Sequence, residues 1–233
     1  MTPSKCSFIT VLSEPVTRKD INNIDIYAIE TESFAKFFPT KTNIKQTNED
    51  GSDAENGLKA LIFVNDKQAP TRKLLISGQR IEYNVNESIS FELLRTEIEN
   101  HILPTIRTAN CGVWSFAFSA TFHTQTIDQN CMFLPKTLED SNAWNSSFAK
   151  VIPWNDSTTD IFLIQKDFAA QKRDQGIIFT FTFATQRKPD KVESVLTGKK
   201  GDYVLGEVFN VSYARAVEEI TADFNHVRGQ HGA

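Results

Sequence analysis

Side chains able to do chemistry are few in this chain, and they stand far apart. The four histidines are His101, His123, His226 and His231. No two of them sit at a spacing that would share a metal ion with a cysteine or a carboxylate. The three cysteines, Cys6, Cys111 and Cys131, form no dense framework, which fits buried thiols in a reducing compartment. No Gly-X-Ser-X-Gly elbow is present to expose a nucleophile, and no Walker-type loop to cradle phosphate. The nearest approach to an anion site is Gly198-Lys199-Lys200-Gly201, which precedes a helical segment and offers amides and two lysines. It lacks the Walker spacing and reads more simply as a connector. The pairs Glu97 and Glu99, and Glu218 and Glu219, point in different directions on their helices and read as solvated faces. These patterns imply no catalytic residue, no metal ligand and no cofactor, so the chain reads as a non-enzyme.

Side chains suited to contact are easier to find. Lys166, Lys172, Arg173, Arg187, Lys188, Lys191, Lys199 and Lys200 cluster in sequence around one strand, diluted by Asp167, Asp174, Asp190 and Glu193. Lys172 and Arg173 precede that strand and Arg187 and Lys188 follow it, which puts them at opposite sheet edges, not in one patch. Trp144 and Trp154 stand among polar residues, free to stack on a base or bury in a partner. The candidate interaction residues are therefore Trp144, Trp154, Lys172, Arg173, Lys199 and Lys200. His123 ends a strand and reads as a surface histidine.

Two stretches that must position these groups alternate almost perfectly. One is Val113-Trp114-Ser115-Phe116-Ala117-Phe118-Ser119-Ala120-Thr121-Phe122, and the other is Ile177-Ile178-Phe179-Thr180-Phe181-Thr182-Phe183-Ala184-Thr185. Period-two spacing sends the rings to one side of a strand and the small or hydroxylated residues to the other. The greasy side needs a cover, and two amphipathic segments supply it. Phe91, Leu94, Ile98 and Ile102 form a stripe on a helix over 88–106, with Ser88 as its cap and Pro104 near its end. Leu205, Phe209, Tyr213, Ala216, Ile220 and Phe224 form a second stripe over 203–227, capped by Asp202.

Further strands are expected over 7–12, 24–29, 58–64, 73–77, 80–85 and 161–164, with Gly78 turning a hairpin. Phe34, Phe37 and Phe38 suit one or two helical turns. Residues 40–57 are polar and read as a long loop, 126–156 as irregular, and 166–174 as a charged turn. The fold class is α+β: a mostly antiparallel sheet with one face covered by two long amphipathic helices. The order also divides into two strands-then-helix halves, 1–106 and 107–233, packed intimately within one domain.

A chain of 233 residues with 40% hydrophobic residues and 18 Phe can build such a core without disulfide or metal. The net charge of −4 argues against bulk attraction to nucleic acid or an anionic membrane. No leader-like or membrane-spanning run occurs, so a cytoplasmic location is expected.

The stretches Leu75 to Ile106 and Phe209-Asn210-Val211-Ser212-Tyr213-Ala214-Arg215-Ala216-Val217-Glu218-Glu219-Ile220-Thr221 resemble a sporadically distributed family of uncharacterised prokaryotic α+β proteins. In that family a hydrophobic hairpin leads into a helix, and a helix rich in small and aromatic residues closes the chain. The resemblance covers about a quarter of the sequence and implies an intracellular accessory protein. The function expected is therefore that of a non-catalytic binding protein acting through protein–protein contacts, as a subunit of a larger assembly. Two alternatives stand beside it. One is a nucleic-acid-binding component of a defence or processing complex. The other is a small-molecule pocket lined by Phe116, Phe118, Phe179, Phe181 and Phe183. Oligomeric state is left open.

Overall fold

The two alternating runs lie side by side near the middle of one antiparallel sheet. In the computed structural model, which describes residues 2–47, 53–109, 111–125, 144–153, 162–173, 176–187 and 202–229, that sheet has nine strands. They are β1 (Lys5–Leu12), β2 (Thr40–Thr47), β3 (Asp53–Val64), β4 (Arg72–Ser77), β5 (Arg80–Val85), β6 (Val113–Thr124), β7 (Trp144–Pro153), β8 (Phe162–Arg173) and β9 (Gly176–Arg187). Their spatial order is β2-β3-β4-β5-β1-β6-β9-β8-β7, with every neighbouring pair antiparallel. The helices are α1 (Arg18–Glu30), α2 (Glu32–Phe37), α3 (Phe91–Glu97), α4 (Leu103–Thr108) and α5 (Asp202–Val227).

The order repeats. β1 is followed, after α1 and α2, by the meander β2–β5, whose last strand returns to pair with β1 before α3. β6 is followed by the meander β7–β9, whose last strand returns to pair with β6 before α5. β1 and β6 then pair with each other, so the two opening strands form a seam down the middle of the sheet.

The greasy face is roofed as its periodicity demands. Phe116, Phe118, Phe179, Phe181 and Phe183 are each at most 4% exposed. Phe209 of α5 sits 5.7 Å from the Phe8 ring and 6.1 Å from Phe118, and Phe224 stacks on Phe122 at 4.2 Å. Phe34 and Phe38 cover Phe63 and Tyr83 at the other end of the sheet. Each such buried ring contributes about 1.5–3 kcal/mol relative to exposure. Of the rings named as a pocket lining, Phe116 and Phe118 meet Phe209 of α5, and Phe181 meets Phe179 and Phe224.

Trp114 departs from the pattern. Register slips between Val11 and Leu12, which pair with Ser115 and Val113, so Trp114 is the extra residue of a β-bulge. Val113 takes the inward place at 0% exposure and Trp114 is left 43% exposed. Beside the bulge, the buried Thr185 hydroxyl accepts from the Phe116 N–H at 3.0 Å and donates to its carbonyl at 3.2 Å. That hydroxyl supplies the hydrogen bonds a regular ladder would give.

Several expected elements differ. Residues 24–29 are helical, not extended, because Thr17 and Asp20 form a reciprocal capping box that starts α1. Ile21, Ile24 and Ala28 then face the core at helical spacing, while Ile26, which with Ile24 imitates a strand alternation, and Ile29 are 52% and 74% exposed. The polar stretch 40–57 is not one loop: it supplies the edge strand β2 and the start of β3. Edge strands tolerate polar and charged residues because one side of the ladder meets water. β7 lies within the stretch read as irregular, and the charged residues 166–173 continue β8 to its end.

The helix expected over 88–106 runs from 91 to 108, is capped by Ser90 rather than Ser88, and widens in the middle. Over Ile98–Ile102 it takes a π turn, in which the Leu103 N–H reaches back to the Ile98 carbonyl. Pro104 follows at once; it has no N–H to offer and its ring would crowd the carbonyl four residues back. The wider turn accommodates it, and both flanks keep apolar residues on the sheet: Leu94 and Ile98 before, Leu103 and Ile106 after.

Candidate interaction surfaces

Directly paired residues share a face of the sheet, so register fixes what the unroofed side presents. One row across six strands reads Lys73, Asn84, Ser7, Ser119, Thr182, Asp167. The next row reads Leu75, Glu82, Ile9, Ala117, Ala184, Gln165. Lys5, Thr121, Thr180 and Ala169 extend the surface on the other side. Over the central strands β6 and β9 this face carries no charge. Its hydroxyls satisfy one another: Thr121 and Thr180 are 3.1 Å apart, and Thr182 donates to Ser119 at 3.2 Å. The described helices named so far pack on the ring-bearing side, so among the described residues no helix roofs this face, and Trp114 stands beside it at the bulge.

Three of the six candidate interaction residues fall at one end of the outermost hairpin. Trp144 on β7 is paired with Lys172 on β8, and Arg173 is paired with Gly176. Trp154, Lys199 and Lys200 lie outside the described residues, as do Lys188, Lys191 and Cys131. Arg187 pairs with Phe162 at the far end of the same strands, about 35 Å away along the chain direction. Lys172 and Arg173 are thus apart from Arg187, but at opposite ends of the adjacent strands β8 and β9 and not at opposite edges of the sheet.

Lys166 belongs to no surface patch. It turns toward α5 and bridges Glu219 at 2.7 Å and Asp223 at 2.8 Å. Arg215 takes a second oxygen of Glu219 at 2.6 Å. Burial pushes the Asp223 carboxyl up from its ordinary value, partly offset by Lys166. Burial disfavours charged Lys166, yet the hydrogen bonds it donates to Asp223 and Glu219 outweigh this and hold the ammonium above its usual range. Glu219 is thus a half-buried latch between helix and sheet, not part of a solvated face; Glu218 alone fits that description, pairing with Arg215 at the surface.

Glu97 is the functional-looking residue that pattern reading missed. It is 7% exposed, under the sheet at the start of the π turn. Arg72 donates to its Oε1 through Nε at 3.0 Å and Nη2 at 2.9 Å, and Tyr83 donates to its Oε2 at 2.6 Å. The third Arg72 nitrogen, Nη1, reaches Glu87. The network ties β4, β5 and α3 together through one buried carboxylate. Burial, then the Glu97 carboxylate, pushes the Tyr83 hydroxyl far above its ordinary value. One turn on, His101 stacks on Phe37 with centroids 4.1 Å apart, and its Nδ1 is buried without a hydrogen-bond partner among the described residues. Desolvation holds this imidazole below its usual value, that is, neutral.

Other chemical groups are equally quiet. Cys6 and Cys111 are both buried, and burial pushes the Cys6 thiol up to about 12. His123 lies exposed at the end of β6. Among the described residues no group of three or more His, Cys, Asp and Glu side chains gathers to hold a metal ion, and no helix is long and apolar enough to cross a membrane.

No family model and no curated protein matches the chain. Among solved structures, the di-domain ARO/CYC BexL from the BE-7585A biosynthetic pathway aligns over 98% of this chain and 99% of its own, at 6% identity and a TM-score of 0.23. A likeness that faint carries no argument about fold or activity.

Proposed function

We propose that this chain is a non-catalytic binding protein that meets a protein partner through the open face of its sheet. One observation supports the reading above the rest. Across the two longest central strands the unroofed face presents Ser115, Ala117, Ser119, Thr121, Thr180, Thr182 and Ala184 without a single charge, and a bulge sets an exposed Trp beside them. Small uncharged residues on a broad sheet allow close backbone approach, and exposed Trp is the side chain most enriched among residues that dominate binding energy. The pairing of Glu97 with Arg72 and of Lys166 with Glu219 and Asp223 agrees with a structural role for these buried charges.

The test is to isolate tagged chain from its host and identify what co-purifies with wild type but not with Ala117→Arg or Trp114→Ala. Loss of the same specific protein from both variants, with thermal unfolding unchanged, is the expected result. A turnover by purified protein that disappears on one side-chain change would remove the reading.

A second reading, contact with nucleic acid, is favoured by the register of Trp144 opposite Lys172 with Arg173 alongside. Retention of the protein on DNA or RNA that falls steeply with salt supports it; no retention at low salt removes it.

A further inference from the structure

The charged ends of the open face are placed symmetrically. Counting outward from the β1–β6 seam, β4 is the third strand on one side and β8 the third on the other. Lys73 and Asp167 stand on those strands in the same row, joined through Asn84, Ser7, Ser119 and Thr182. They are therefore equidistant from the seam, opposite in charge and level along the strands. Asp167 is held by Gln165, whose Nε2 reaches its two oxygens at 3.0 and 2.9 Å, whereas Lys73 has no ion-pair partner among the described residues.

A two-fold axis running along the seam, between two sheets stacked face to face, exchanges the third strand on the left with the third on the right. It sets Lys73 of each molecule over Asp167 of the other, twice. It also sets Asn84 over Thr182, Ser7 over Ser119, Ile9 over Ala117 and Glu82 over Ala184, so no like charges meet within these two rows. Aligned sheets stack in this manner, about 10 Å apart, when side chains between them are small enough to interdigitate. Six strands and three to four rows span roughly 600–800 Å² on each copy, from the spacings of strands and of same-face residues. That reaches the lower range of specific interfaces, near ~800 Å² per partner.

We infer that the open face is an isologous docking surface for a second copy of this chain, with Lys73 of each copy against Asp167 of the other. The inference rests on the proposed use of this face for protein contacts and names the partner as the chain itself. In an isologous interface each substitution acts twice, once on either side of the axis. Reversing one charge therefore replaces two attractions by two repulsions, while reversing both restores two attractions.

Sedimentation velocity on the full chain over a concentration series tests it, with wild type, Lys73→Glu, Asp167→Lys and the Lys73→Glu/Asp167→Lys double variant. Wild type is expected to dimerise with rising concentration. Each single reversal should weaken the dimer by roughly 100-fold, and the double variant should return to within about tenfold of wild type. Lys73→Ala provides a milder loss, and thermal unfolding of every variant verifies the fold. Wild type that stays monomeric up to roughly 1 mM overturns the inference, as does a dimer that neither reversal weakens or that the double reversal fails to restore. Monomeric wild type whose captured protein is still lost on Ala117→Arg would overturn the self-association while leaving the proposed function standing.

Discussion

Glu97 carries its charge into the core only because Arg72 and Tyr83 meet both of its oxygens. A carboxylate this buried is costly to desolvate, and a pair of this kind adds little net stability over a well-packed apolar substitute. Breaking it from one side is different, because Arg72, whose side chain is 13% exposed, would then keep only the more exposed Glu87 as its counter-charge, and the Tyr83 hydroxyl would lose its acceptor. Glu97→Ala is expected to destabilise the fold by about 3–5 kcal/mol, measured as a lower urea midpoint. The Arg72→Met/Glu97→Leu double change should recover most of that loss. Position alone gave a usable signal: Glu97 lies three residues after Leu94 and one before Ile98, inside the apolar stripe. What composition could not reveal was the partner, since Arg72 is 25 residues away on another element.

At the scale of elements, legibility followed the strength of the period. The alternating runs of β6 and β9, the β4–β5 hairpin and the long stripe of α5 were readable because hydrophobic spacing alone specifies them. α1 was misread because Ile24 and Ile26 alternate, and the capping box that overrules them sits seven residues upstream. β2 and the charged part of β8 were hidden for a different reason. An edge strand needs no apolar face of its own, and a lysine can sit on the covered face of a strand once a helix brings it carboxylates.

Two hairpin glycines separate what a turn needs from what packing needs. Gly176 has φ +126°, and a Cβ there would lie 2.8 Å from the Thr124 carbonyl oxygen; Gly78 has φ +55° with nothing within 4 Å. Gly176→Ala should therefore cost about 1–3 kcal/mol in backbone strain plus a displacement of β6. Gly78→Ala should cost only the left-handed penalty of about 1–2 kcal/mol. Paired thermal unfolding of the two variants checks the order.

For the molecule as a whole, buried proton-holding groups set a pH limit. Folding raises the Cys6 thiol to about 12 from 9.0 by burial. It raises the Tyr83 and Tyr213 hydroxyls above 10.0, chiefly by burial, and Lys166 above 10.5, its hydrogen bonds prevailing over burial. In every case the folded chain keeps a proton that the unfolded chain releases. Stability is thus fully present below the unfolded values and is lost as pH rises above about 9, by up to about 1.4 kcal/mol per pH unit for each group. Urea midpoints should hold level between neutral pH and that point and then fall steadily, first for Cys6 and then for the tyrosines and Lys166. Midpoints that stay constant to pH 11 would contradict these burials.

The seam between β1 and β6 also governs how the gene product can be divided. Cut there, each portion would expose a full-length strand with its backbone donors and acceptors bare, bordered by rings such as Phe8 or Phe118 that had been shared across the join. Neither portion is a miniature of the parent; each would be a sticky remnant. Truncations meant to isolate an active piece must leave both opening strands intact.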